Sequence, residues 1–497
     1  MRGFGARVFG RLVTLLWGNA HSSGLPGTSE EAVRAVERNR RASQTTFLGV
    51  AASGIGLLTT LISVPLTLTY LGTERFGLWM TISSVMLLLG FTDLGIGNGL
   101  MSALARARAR GDEAAQARYV TSGLVALTIL AAAAGLTLAV VYPLVPWRQF
   151  YNVHSSLAAS EAGPATLLVA VWFIGRIPLG AINSIRSACQ EGYVNYAFTA
   201  MGNLLGLVLL LLCVNARFGL PLLVSAVALA PFVAQLANLT LLFGRNHPEL
   251  VPSRKSLDLS AAKEVVRIGL VYFVLQLSFT IGYLSDTLVL TQILGQGAVT
   301  QYSVVTKLFS IPATLAVLIV SPLWPAYREA FTRGDMRWVR ATLRRSVLLN
   351  GAITLPAGIL LTAVSGTVFA IWVGRSFSPP SLLVLAAATS MIVLSLKNSL
   401  SILLNGAQII RLQLATAVSM AVVNLACSIV LTLNMGVSGV LWGSVIAAIT
   451  TTIIPDLAYF KIKGVLRQQP SAGLAIDRQA SDGAPGESLE PSSQIQL

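Results

Sequence analysis

Residues 119–142 read YVTSGLVALTILAAAAGLTLAVVY, without one charged side chain. At 1.5 Å per residue, a helix over this stretch is about 36 Å long, and the apolar core of a bilayer is roughly 30 Å thick. The pattern recurs along the chain. The expected spans are 44–69, 76–101, 119–142, 164–186, 196–215, 220–243, 265–293, 300–325, 345–372, 380–404, 412–433 and 437–460. Composition agrees. The 497 residues are 54% hydrophobic and 11% charged, where a soluble protein carries about 25% charge. Mean hydropathy is +0.72. Disorder and nucleic-acid scaffolding are excluded, and the composition argues against an ordinary soluble enzyme. The expected fold is an all-α polytopic membrane protein of twelve transmembrane helices.

The net charge of +15 gives orientation rather than a nucleic-acid partner. Numbered from the N-terminal tail, alternate gaps hold 28 of the 35 Lys and Arg, including Arg106, Arg108, Arg110, Arg118, Arg328, Arg333 and Arg337. The other gaps hold only Arg75, Arg148, Arg217 and Arg375. This places both termini in the cytoplasm and supports an even number of spans. Before the first span, Arg2, Arg7 and Arg11 interleave with Phe4, Val8, Phe9 and Leu12, as in an interfacial helix. After the last span, the tail from Gly464 is rich in Ser, Pro, Gly and Gln and reads as disordered.

The chain repeats internally. At an offset of 223, Leu71-Gly72 falls on Leu294-Gly295, Trp79 on Tyr302, and Arg110-Gly111-Asp112 on Arg333-Gly334-Asp335. At an offset of 221, Asn203-Leu204 meets Asn424-Leu425. Two six-helix lobes of like orientation, related by an axis along the membrane normal, are expected to enclose a central cleft. The expected organisation is a basic N-terminal segment 1–43, a first lobe 44–243, a linker 244–264, a second lobe 265–460 and a tail 461–497.

No machinery for common enzyme chemistry is visible. Cys189, Cys213 and Cys427 are dispersed, as are His21, His154 and His247, and no HExxH, Walker A or GxSxG pattern occurs. Gaps on the Arg75 side are short, the longest near 143–163. No enzyme activity, metal or cofactor is expected.

Function is therefore sought in charges inside spans, which cost about 2.5–3.5 kcal/mol each to insert. Arg176 lies mid-span, two residues before Pro178. Its planar fork suits a phosphate or sugar carboxylate in the cleft, or it pairs with a buried carboxylate. Lys307 and Lys397 lie roughly 10 Å inside their helix ends, within snorkelling reach of the surface or available to a substrate. Asp93, ahead of Gly95, Gly97 and Gly99, and Asp286 are the candidate ion-coupling or counter-ion carboxylates. Three cations against two acids favour an anionic substrate. The intraspan prolines Pro65, Pro178, Pro231, Pro312, Pro322, Pro325, Pro356 and Pro455 bend helices or shape the bundle.

Several runs carry a family resemblance over about residues 44–460. Tyr70-Leu71-Gly72-Thr73-Glu74-Arg75-Phe76-Gly77-Leu78-Trp79 resembles the first periplasmic turn of bacterial polysaccharide flippases, and Phe91-Thr92-Asp93-Leu94-Gly95-Ile96-Gly97 the end of their second helix. Asp286, Leu294-Gly295, Tyr302 and Lys307 are similar to their seventh and eighth helices, and Pro322-Leu323-Trp324-Pro325 with Gly334-Asp335 to the end of the eighth. Asn424 to Gly436 and Gly439 resemble the eleventh helix and its turn. The resemblance is to the oligosaccharide-flippase branch of the multidrug/oligosaccharidyl-lipid/polysaccharide exporter superfamily. It implies two lobes and an inner-membrane location. It also implies translocation of a polyprenyl-diphosphate-linked oligosaccharide to the periplasmic leaflet, with glycan polymerase or glycosyltransferase partners. The alternatives are a cation-coupled drug or metabolite antiporter of the same superfamily, or a membrane glycan polymerase or ligase.

Overall fold

The computed structural model describes residues 29–88, 93–320, 323–407 and 409–462. Among them there is no strand. The expected interfacial helix near Arg2–Leu12 and the tail from Gly464 lie outside the described residues.

The first half comprises α1 (Ser29–Leu88), α2 (Ile96–Ala109), α3 (Glu113–Val141), α4 (Ser156–Ala188), α5 (Gly192–Asn215) and α6 (Leu220–Leu241). The second comprises α7 (Leu259–Leu294), α8 (Gln296–Val320), α9 (Leu323–Arg333), α10 (Met336–Ala363), α11 (Ser381–Ala407), α12 (Ile410–Met435), α13 (Gly439–Ala447) and α14 (Ile454–Ile462). Short helices at Trp147–Phe150 and Ser365–Trp372 join α3 to α4 and α10 to α11.

Nine described segments are long and apolar enough to cross a membrane, against the twelve expected. The difference has a physical origin. Gln44–Leu87 is one segment by length but reverses at Gly72 (φ 75, ψ 174), and Arg411–Ile462 likewise turns at Gly436 (φ 64). Some expected spans are also broken. The span expected at 76–101 is interrupted by a turn at Asp93–Gly95. The last expected span, 437–460, widens at Ala448–Ile453 between α13 and α14.

The sequence repeat is a backbone repeat. Gly72 and Gly295, 223 residues apart, have matching dihedrals (φ 75, ψ 174 and φ 78, ψ −175). That conformation is reserved almost wholly for glycine. Gly111 and Gly334 also match, at φ 70 and 72. The following aspartates do the same work in both halves. Asp112 accepts a hydrogen bond from Ala115 N at 2.8 Å, and Asp335 one from Trp338 N at 2.9 Å, opening α3 and α10.

One apolar core is built mainly by the first half, including Leu100, Leu104, Val120 and Ile182, and takes in Val265 of α7. Another belongs to the second and includes Val339, Leu343, Leu403 and Phe460. A third spans both, packing Val64, Leu68 and Phe76 of α1 against Val299, Val304 and Leu383.

Candidate functional site: an inter-lobe cavity and a buried carboxylate

Helix α1 presents Thr59, Ser63 and Thr67 at four-residue spacing, hence along one face. With Trp79 and Ser83 beyond the Gly72 turn, Asn203 of α5, Pro231 of α6 and Lys307 of α8, this face lines a cavity of about 330 Å³. Lys307 is the contribution of the second half. Its half-buried ammonium makes no hydrogen bond or ion pair among the described residues. Among the described residues the cavity wall contains no Asp or Glu. A lone cation, ringed by hydroxyls, an amide and an indole, gives the cavity a preference for anions with polar and ring-shaped parts.

Asp286 of α7 lies elsewhere in the second half. It is 2% exposed. It accepts hydrogen bonds from Ser428 Oγ and Ser444 Oγ at 3.0 Å each and from Asn424 Nδ2 at 3.4 Å. These partners come together because α12 and α13 touch through glycine. A Cβ on Gly443 would stand 2.7 Å from Ser428 N, and one on Gly439 2.3 Å from Leu431 C. The site thus holds a carboxylate among neutral oxygen-bearing groups.

The other expected site residues are not gathered with these. Arg176 of α4 is exposed and has no ion pair among the described residues, so pairing with a buried carboxylate is not observed there. It does not line the Lys307 cavity, although its neighbour Gly175 packs on Phe232, adjacent in sequence to Pro231 of the wall. Lys397 of α11 lies within the second half, with its ammonium 3.1 Å from Met420 Sδ. Asp93, expected to be buried, is half-buried. It accepts a hydrogen bond from Gly95 N at 2.9 Å and shapes the turn before α2. That turn lets Gly95 and Gly99 meet α7 at the backbone: their Cβ positions would fall 2.2 Å from Gly269 O and 2.1 Å from Val265 O.

Sequence reasoning missed two charges. Arg186, at the end of the span expected over 164–186, is 0% exposed. It donates to Glu191 at 2.6 Å and Asn238 at 2.9 Å, and His247 links Glu191 to Glu249. Asp456 is also fully buried, where only Asp93 and Asp286 were expected. The signal for Arg186 was the polar set Asn183, Asn195, Gln235 and Asn238 on neighbouring helices.

The halves are fastened at both ends. On the arginine-rich face, Glu264 of α7 accepts from Arg106 at 2.7 Å and Tyr119 at 2.6 Å. On the opposite face, Thr300 donates to Thr73 O at 2.6 Å, and Gly77 packs on Gln296 O, where a Cβ would stand only 2.2 Å away. These are mates in the repeat, since residues 73 and 77 correspond to 296 and 300. Thr81 joins Thr291 and Gln296 at 2.9 Å each, and Gln296 Nε2 donates to Tyr151 O at 2.5 Å.

The polysaccharide biosynthesis protein family matches residues 42–331, more than half of the chain. The chain belongs to this family. Together with its long apolar helices, this makes it a multi-pass membrane protein of polysaccharide biosynthesis. A curated relative, the uncharacterized membrane protein EpsK of Bacillus subtilis (strain 168), is 23% identical over 332 residues. The match spans 65% of this chain and about 64% of EpsK. Among solved structures, an inward-facing multidrug resistance MATE family transporter of the MOP superfamily aligns at TM-score 0.71 and 14% identity. It covers 84% of this chain and 99% of that one. The lipid II flippase MurJ, in an inward closed conformation, aligns at TM-score 0.68 and 13% identity over 84% and 89%. The polysaccharide biosynthesis family member described here thus shares the fold of these all-helical transporters.

Proposed function

We propose that this protein translocates a polyprenyl-diphosphate-linked oligosaccharide from the cytoplasmic to the periplasmic leaflet of the bacterial inner membrane, for surface or exopolysaccharide synthesis. The observation that carries the reading is Lys307: an ammonium without a partner among the described residues, in a cavity of about 330 Å³ between the halves whose described wall holds no acid. Such a cavity accommodates part of an anionic headgroup, with the diphosphate at Lys307 and a sugar face on Trp79. The lipid tail stays in the bilayer.

The arginine-rich face is cytoplasmic in this reading. Alternating access then opens and closes the contacts at Glu264–Arg106 on that side and at Gln296–Gly77–Thr81 on the other. Arg176 meets the anion in the cleft outside the Lys307 cavity. Asp286, in its cage of Ser428, Ser444 and Asn424, carries the coupling ion. A drug-type cation antiporter would favour acid in the cavity wall, which has none among the described residues.

The test is export in cells. Lys307→Gln and Arg176→Ala, expressed at wild-type level, abolish or strongly reduce glycan display, whereas Lys307→Arg retains it. Normal display in Lys307→Gln refutes the assignment. Changed drug susceptibility with unchanged glycan upon gene deletion favours the antiporter.

A further inference from the structure

Asp456 is fully buried in α14, and neither carboxylate oxygen receives a hydrogen bond among the described residues. A buried carboxylate left so is costly, and chains normally surround one with donors, as this chain does for Asp286. The charge acting on Asp456 is that of Lys397, across from it on α11. Yet no ion pair within contact distance joins them among the described residues, and the Lys397 ammonium points to the sulfur of Met420, a weak acceptor. Thr452, one turn before Asp456, also directs its hydroxyl to Met420, at 3.7 Å, rather than to the carboxylate. The flanking residues Ile453 and Phe460 belong to an apolar core with Tyr327 and Leu403.

Other ionisable groups on these helices do not answer the charge. Arg328, Arg344, Arg411 and Lys461 are exposed, and Tyr327 and Tyr459 pack with Trp338 and Phe460 respectively. A metal ion is disfavoured, because the ammonium repels it and one carboxylate offers too few oxygens.

We propose that Asp456, poised by Lys397, is a proton-binding site of the second lobe, separate from Asp286. The ionised pair is neutral as a whole. One proton from solvent adds to a carboxylate oxygen, forming an O–H bond and leaving a neutral carboxyl beside a cationic Lys397. Protonation cancels the attraction between α11 and α14 in a low-dielectric interior, where that attraction is strong. The site thereby ties proton uptake to the packing of those two helices. The inference does not depend on the identity of the transported molecule.

The experiment is infrared difference spectroscopy of the full-length protein in nanodiscs, titrated with pH, in an Asp286→Asn background. A carboxyl free of hydrogen bonds absorbs at the high-frequency end of its range. One such band is expected to grow as pH falls and to be lost in Asp456→Asn. In Lys397→Met it persists to at least tenfold lower proton concentration, because the carboxylate has lost its cation. In Lys397→Arg it titrates near its place in the parent. The Lys397 pair keeps the test available if Asp456→Asn does not fold. A band that survives Asp456→Asn, or is unmoved by Lys397→Met, or is absent at every pH, overturns the proposal.

Discussion

Replacing Lys307 by Gln keeps most of the side chain's bulk and its hydrogen-bonding capacity but removes the charge. Among the described residues the cavity wall has no other charged group to take over. A hydrogen bond to a charged partner contributes about 1.5–3 kcal/mol net. At about 1.4 kcal/mol per tenfold, the variant should bind a diphosphate-bearing lipid roughly 10- to 150-fold more weakly. The upper part of this range is the better expectation, since among the described residues no ion pair to the ammonium must first be broken. The assay is calorimetric titration of the purified protein in nanodiscs with a polyprenyl diphosphate, and with the matching polyprenyl alcohol as control. The loss should appear for the diphosphate and be nearly absent for the alcohol. Equal losses for both, or none for either, refute the idea that Lys307 reads the anion.

Three further outcomes follow from the contacts. In Gly77→Ala the new methyl would meet Gln296 O at 2.2 Å, costing the closed opposite face about 1–3 kcal/mol; a cysteine at Thr59, in a cysteine-free background, should be labelled faster by an impermeant reagent added outside the cell. Arg186→Met leaves Glu191 and Asn238 without their buried partner, at a cost of about 3–5 kcal/mol; the melting temperature in detergent should fall sharply, and adding Glu191→Gln should recover part of it. Burial pushes Glu249 up, but the hydrogen bond and charge of His247 together with Arg108 outweigh it and hold the carboxyl below its ordinary value. Its contribution is therefore full above the ordinary glutamate value and is lost as pH falls through the lowered one; melting curves of Glu249→Gln should lack that acid-side decline.

The sequence carried most of the fold because the bilayer enforces it. A charge-free stretch such as 119–142 has one cheap structure in lipid. The offset of 223 was equally legible, since Gly72 and Gly295 are glycines for a dihedral reason that the structure displays twice. Helix breaks were less legible. The turn at Asp93–Gly95 exists so that α2 can approach α7 at the backbone, a tertiary requirement that no local pattern states. Charges were the hardest to read. Hydropathy marks a residue as inside a span but not which way it points. Lys307, Lys397 and Arg176 looked alike, yet one lines a cavity, one lies near Asp456 and one is exposed. Arg186 and Asp456 escaped notice because they sit near helix ends, where a charge normally reaches water.

The central claim is that the cavity at Lys307 carries a lipid-linked glycan across the membrane, and the sidedness of that glycan tests it most directly. Inside-out and right-side-out vesicles are prepared from cells depleted of the protein and complemented with wild type, Lys307→Gln or Lys307→Arg. The lipid-linked oligosaccharide exposed on each face is then measured with an impermeant glycosidase or lectin. The account predicts accumulation on the cytoplasmic face after depletion and in Lys307→Gln, with wild type and Lys307→Arg restoring the periplasmic pool. An unchanged distribution of the glycan after depletion would contradict it.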